Sequence, residues 1–121
     1  MANVLLVDDD NLVREVVYRL LVVLGHSVES FDQPSKALAH IRSGEKFDLL
    51  ITDVEMPGDM NGIDLASCVT KERGHLKVIF MTGHHDPEPF AAIDPCCEFI
   101  VVIKPFRRRQ LEASINQVMG S

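Results

Sequence analysis

The sequence predicts an α/β domain built on a doubly wound, five-stranded parallel sheet of order 2-1-3-4-5, with five helices on its two faces. Three observations predict it. Apolar runs of strand length recur at Asn3–Val7, Leu49–Thr52, Val78–Met81 and Phe99–Ile103, and a continuous apolar run between turn signals marks a strand buried on both faces. Stretches of helical apolar period separate these runs, so strands and helices alternate. The runs also stop in chemistry: Asp8-Asp9-Asp10, Asp53, Thr82-Gly83 and Lys104-Pro105 follow them, and open α/β sheets place their sites at the carboxyl ends of strands. Right-handed crossovers, with a switch point beside the first strand, select the order.

Val4–Val7 is the first strand, and Asp10 or Asn11 can cap the helix after it. Its apolar positions Leu12, Val13, Val16, Val17, Leu20, Leu21 and Leu24 keep the helical period, and Gly25 stops it. Ser27–Phe31 alternates as a strand near a sheet edge does. Asp32 is placed to cap a second helix with Pro34 in its first turn and Ala37, Leu38 and Ile41 on its buried stripe, ending at Gly44. Leu49–Thr52 is the third strand, and Pro57 and Gly58 break the chain after it. Gly62 lets the chain re-enter a helix that runs to about Arg73, buries Ile63, Leu65, Ala66 and Val69, and ends at Gly74. Val78–Met81 is the fourth strand. Pro87, Pro89 and Pro95 confine the fourth helix to a short piece around Phe90–Ile93. After the fifth strand a last helix runs to about Met119, with Leu111, Ile115 and Val118 buried.

A chain of 121 residues is one domain, 1–121, large enough to bury a core. Its net charge of −6 gives no electrostatic case for direct nucleic-acid binding. There is no leader pattern and no apolar run long enough to span a membrane, which predicts a soluble, cytoplasmic protein. The three cysteines, Cys68, Cys96 and Cys97, are odd in number and two are adjacent, so they read as reduced thiols. A zinc site from His84, His85, Cys96 and Cys97 would match none of the usual spacings.

The centre of the pattern is Asp48–Gly62, DLLITDVEMPGDMNG, with Asp53 at the end of a central strand. Taken alone, Asp53 reads as a turn or helix cap. With Asp8 and Asp9 ending a neighbouring strand it becomes part of an acidic crevice. Two unit charges about 4 Å apart repel by ~4 kcal/mol at an effective dielectric near 20, so the cluster calls for a counter-charge. Lys104 can supply part of it, and hard oxygen ligands at a strand end suit Mg²⁺.

Asp8-Asp9 after the first strand, D-x-x-M-P-G from Asp53, T-G at Thr82 and K-P-F at Lys104 together resemble the response-regulator receiver domain of two-component signal transduction. The likeness covers essentially the whole chain and implies a flavodoxin-like fold. It implies that Asp53 accepts a phosphoryl group from a phosphohistidine in a Mg²⁺-dependent phosphorelay. Asp9, Asp53 and the Glu55 carbonyl would bind the ion, with Asp8 holding a metal-bound water. Lys104 and the Thr82 hydroxyl would contact phosphoryl oxygens. The implied partner is a histidine kinase or histidine phosphotransfer protein. The domain would signal, and assist its own phosphorylation and dephosphorylation, rather than turn over a free substrate. It would stand alone or form a segment of a longer regulator or hybrid kinase.

Three features depart from the family pattern. The loop after Pro57, G-D-M-N-G, is one residue longer. The fourth helix is cut short by prolines, and Val101 stands where the family carries a switch aromatic, with Phe99 the nearest one. The run Arg107-Arg108-Arg109 admits a solvated face, docking to an acidic partner, or pairing with a second receiver. Two other classes fit less well. A Mg²⁺-dependent phosphohydrolase wants an Asp where Glu55 stands, and a substrate cap. A flavodoxin-like cofactor binder needs a phosphate-cradling loop where three carboxylates stand.

Overall fold

The computed structural model describes residues 1–120. The strands β1 (Asn3–Val7), β2 (Ser27–Phe31), β3 (Leu49–Asp53), β4 (Leu76–Thr82) and β5 (Cys97–Ile103) alternate with α1 (Asn11–Val23), α2 (Pro34–Arg42), α3 (Gly62–Arg73) and α4 (Arg108–Met119). The sheet is wholly parallel, in the order β2-β1-β3-β4-β5.

Side-chain alternation along each strand explains why it needs helices on both faces. Leu5, Val7, Leu50, Val78 and Phe80 point to one side and pack with Ala37 and Ile41 of α2 and Leu65 and Val69 of α3. Val4, Leu6, Leu49, Ile51, Ile79 and Met81 point to the other, onto Val17 and Leu21 of α1 and Leu111, Ile115 and Val118 of α4. The polar strand ends align in consequence. Val7 lies opposite Thr52, Asp53 opposite Met81, and Thr82 opposite Ile103.

Four expectations need correction. The fourth helix around Phe90–Ile93 is absent, and the β4–β5 crossover holds only a 3₁₀ turn at Glu88–Phe90. Pro87, Pro89 and Pro95 remove donors and fix φ, so no helical ladder can propagate there. Phe90 fills part of the vacated space, its ring 5.3 Å from Phe80 and 5.7 Å from Phe99. The β5 face beneath is thinly covered, with Phe99 exposed and Val101 and Ile103 half-buried. Second, Asp32 does not cap α2. Gln33 is the N-cap residue, without a side-chain cap bond, and Asp32 pairs with Lys36 instead. Third, only Val17 and Leu21 of the α1 stripe are buried, while Leu12 and Val16 are 80% and 58% exposed. Fourth, Ile63 on the α3 stripe is only half-buried.

The loop between β3 and α3 is fastened to the site. Gly62 donates its N–H to the Val54 carbonyl at 3.1 Å. A Cβ on Gly62 would stand 2.0 Å from the Asp53 carbonyl oxygen, so close approach, not an unusual φ, requires glycine here. Asn61 and Asp64 then exchange side-chain and backbone bonds of 2.8 and 3.0 Å, a capping box that starts α3.

Gly62→Ala should therefore cost about 1–3 kcal/mol of stability, because the Asp53 carbonyl or the helix start must move. A urea midpoint unchanged from the wild type would show that the loop yields freely.

Candidate functional site

Four strand ends supply the site. β1 delivers Asp8 and Asp9, β3 Asp53, β4 Thr82 and β5 Lys104. Asp8 is fully buried and Asp53 is 7% exposed, whereas Asp9 is open to solvent. One oxygen from each carboxylate lies within 4.8 Å of the others, and among the described residues this is the one such His, Cys, Asp or Glu cluster. His84, His85, Cys96 and Cys97 form none, and the three thiols are free.

Lys104 sits between the two buried acids, its Nζ donating to Asp53 Oδ1 at 3.1 Å and to Asp8 Oδ2 at 3.4 Å. Burial works against its charge, but the two carboxylates outweigh that and hold its pKa above the ordinary value. Asp8 Oδ1 accepts the Asp10 N–H at 2.9 Å. Burial still raises the Asp8 pKa, against the Asp10 N–H and Lys104. The Asp53 carboxyl is pushed by burial from 3.8 to about 6, with Lys104 opposing the rise and Asp8 and Glu55 adding to it. One ammonium does not neutralise three carboxylates. An all-oxygen donor set with excess negative charge fits a hard divalent cation such as Mg²⁺.

Thr82 is 2% exposed and its hydroxyl is not turned toward Asp53. It donates to Glu55 Oε1 at 2.8 Å and accepts the His84 N–H at 3.2 Å. The Glu55 carboxylate thus leaves the three aspartates and faces Thr82 and the His84 ring, whose Nε2 is 3.8 Å away. Asp10 stays outside the cluster and caps α1, accepting from Leu12 and Val13. Sequence reasoning missed Arg14, which donates to the Asp8 carbonyl at 2.7 Å. Its spacing from Asp8 carries no signal, because the contact exists only once α1 has turned back over the strand end. Val101 is half-buried opposite Phe80, and Phe99 packs 5.8 Å from the same ring.

A family model described as "Response regulator receiver domain" matches residues 4–116. The chain is 34% identical to the response regulator receiver protein CpdR of Brucella abortus, over 98% of each sequence. It is 32% identical to the DNA-binding transcriptional regulator NtrC of Azospirillum brasilense, spanning 99% of this chain and 24% of that protein. Among solved structures it is similar to Vibrio cholerae chemotaxis protein CheY4, with a TM-score of 0.87 and 28% identity over 98% of both chains. It is also similar to Thermotoga maritima TrrA in complex with Mg(2+)-BeF, with a TM-score of 0.84 and 25% identity over 98% of this chain and 99% of that one.

The raised Asp53 pKa makes a signed prediction. A carboxyl held at about 6 when folded and 3.8 when unfolded contributes stability that is full below pH 3.8 and lost as pH rises through 6. Without divalent cations, Asp53 alone should make the protein about 1 kcal/mol more stable near pH 5 than near pH 7.5. Urea midpoints for wild type and Asp53→Asn at both pH values check this. An equal pH increment in the two proteins would assign the effect to other groups.

Proposed function

The chain belongs to the response-regulator receiver family, and from that premise we propose that Asp53 is its phosphoacceptor, within a single receiver domain spanning 1–121. The donor is a phosphohistidine on a histidine kinase or histidine phosphotransfer protein. What carries the reading is the buried Asp8–Lys104–Asp53 bridge beside exposed Asp9, with contacts of 3.4 and 3.1 Å.

In the transfer, an ionised Asp53 oxygen attacks phosphorus. The bond from phosphorus to the histidine nitrogen breaks, and its electron pair stays with the departing imidazole. Lys104 is already 3.1 Å from Asp53 Oδ1 and shifts its donation to a phosphoryl oxygen. Thr82 supplies a hydroxyl to a second oxygen. Asp9, Asp53 and the Glu55 carbonyl would hold Mg²⁺, with Asp8 on a metal-bound water, and the ion would supply positive charge where the phosphoryl charge builds up. Asp53 must be ionised to attack, and a divalent cation beside it would favour that form against the burial that raises its pKa. Loss of the group is hydrolysis of the same acyl phosphate, which the domain assists without turning over a free substrate.

The donor needs a surface that brings its histidine to the strand ends, and α1 offers one. Leu12 and Val16 open onto a groove of about 470 Å³, completed by Val13, Leu20, Pro105 and Phe106 and reaching Lys104. Exposed Arg107, Arg108 and Arg109 follow Phe106 and give the groove a basic edge. An apolar helix face with an acidic margin on the donor fits it. A phosphohistidine is charged from ATP, so the encounter belongs in the cytoplasm.

Two experiments test these readings. With Mg²⁺ and a small phosphodonor, intact mass should rise by one phosphoryl group in wild type and not in Asp53→Asn; phosphorylation surviving the substitution would place the acceptor elsewhere. Leu12→Glu should slow loading from a phosphohistidine donor at least tenfold while small-donor loading stays within twofold, a loss of ~1.4 kcal/mol in docking. Equal slowing with both donors would show damage to the site and not to the docking face.

A further inference from the structure

The Thr82 hydroxyl is needed at the phosphoryl group but is occupied elsewhere. Its proton goes to Glu55 Oε1 at 2.8 Å and its oxygen accepts the His84 N–H at 3.2 Å. The two partners of the Glu55–Thr82 bond are unequally placed. Thr82 is 2% exposed, so a hydroxyl that lost its acceptor there would find little water to replace it. The Glu55 side chain is 49% exposed and can turn into solvent at small cost. The bond therefore breaks cleanly only when another acceptor is offered to Thr82. A phosphoryl oxygen on Asp53 is such an acceptor.

We propose that Glu55 is a positioning residue that latches Thr82 in the unloaded state, and that loading exchanges the hydroxyl's acceptor from the Glu55 carboxylate to the phosphoryl group. The proposal rests on Asp53 being the acceptor. Glu55 then opposes loading by competing for a donor, a role distinct from simple repulsion between its charge and the phosphoryl charge. The two differ in what they require. A latch needs an acceptor oxygen at Glu55 and a hydroxyl at Thr82; repulsion needs only the negative charge. No covalent step is added to the transfer itself.

The probe is beryllofluoride with Mg²⁺, followed by ¹⁹F resonance of the bound species. Glu55→Ala should bind the probe about fivefold more tightly than wild type, the scale of one released hydrogen bond. Glu55→Gln keeps an acceptor without the charge and should stay within twofold of wild type. In a Thr82→Val background, Glu55→Ala should produce no gain. In the unloaded protein, the Thr82 methyl resonance should move in Glu55→Ala and hold in Glu55→Gln.

Equal tightening by Ala and Gln would overturn the latch in favour of repulsion. A full gain in the Thr82→Val background would also overturn it, because Glu55 would then act without Thr82. No change in Glu55→Ala, with wild type loading normally, sinks the latch alone. Wild type failing to load at Asp53 sinks the acceptor assignment instead.

Discussion

Asp8 and Asp53 are buried carboxylates that share one ammonium, and much of the structure serves to keep the three groups together. At about 4 Å and an effective dielectric near 20, each like-charged pair costs ~4 kcal/mol before any counter-charge is counted. Flexible loops would relieve that strain by moving apart. Here β1 and β3 are neighbours, each continuous with a strand whose side chains are packed on both faces. Lys104 enters from β5, two strands away from β3, and crosses the ends of the sheet to reach both acids. The crevice is held by walls that are buried from Val4 to Val7 in β1 and throughout β3, which makes it rigid. Among the described residues no buried side-chain nitrogen or oxygen lacks a hydrogen-bond partner.

The same rigidity extends into the loop after Asp53. Thr52 donates its hydroxyl to the Asp53 carbonyl at 3.0 Å, and Gly62 packs its backbone against that carbonyl. Met56 and half-buried Met60 anchor the loop to the core on the α3 side. The loop therefore leaves the acid in place and exposes residues 57–59 instead.

Strand identity and the site's main members were legible because one physical rule produces both signals. A strand buried on both faces must be apolar throughout, so the first charged residue after it marks both the end of the strand and the edge of the crevice. Asp8, Asp53 and Lys104 are found this way. Features that depend on which side of an element meets a neighbour were not legible. The α1 stripe keeps the helical period through Leu12 and Val16, yet those two residues are exposed. The Asn61–Asp64 capping box followed a known pattern that the glycine nearby obscured. The Glu55–Thr82 bond joins a loop to a strand end through side-chain rotamers and leaves no trace in spacing. For the fourth helix the prolines predict a shortened piece, whereas three of them within nine residues leave only a 3₁₀ turn.

That missing helix changes what the β4–β5 side of the domain can transmit. A crossover helix would bury Phe99, Val101 and Ile103 under a rigid rod. Instead the segment from Gly83 to Asp94 is held by Phe90 against Phe80 and Phe99 and by the His84 N–H on Thr82. A rod resists local displacement along its whole length, because its hydrogen-bond ladder is cooperative. A segment with one 3₁₀ turn, tied to the core through Phe90, Ile93 and the His84 N–H, does not. Thr82 belongs both to the strand-end site and to the last of those attachments. The His84 N–H bond thus ties the Thr82 hydroxyl directly to residues 83–94, and Val101 takes no part in that bond. The groove of about 450 Å³ lined by His84, Phe90, Phe99 and Val101 lies beside that bond, on the side of the sheet away from α1.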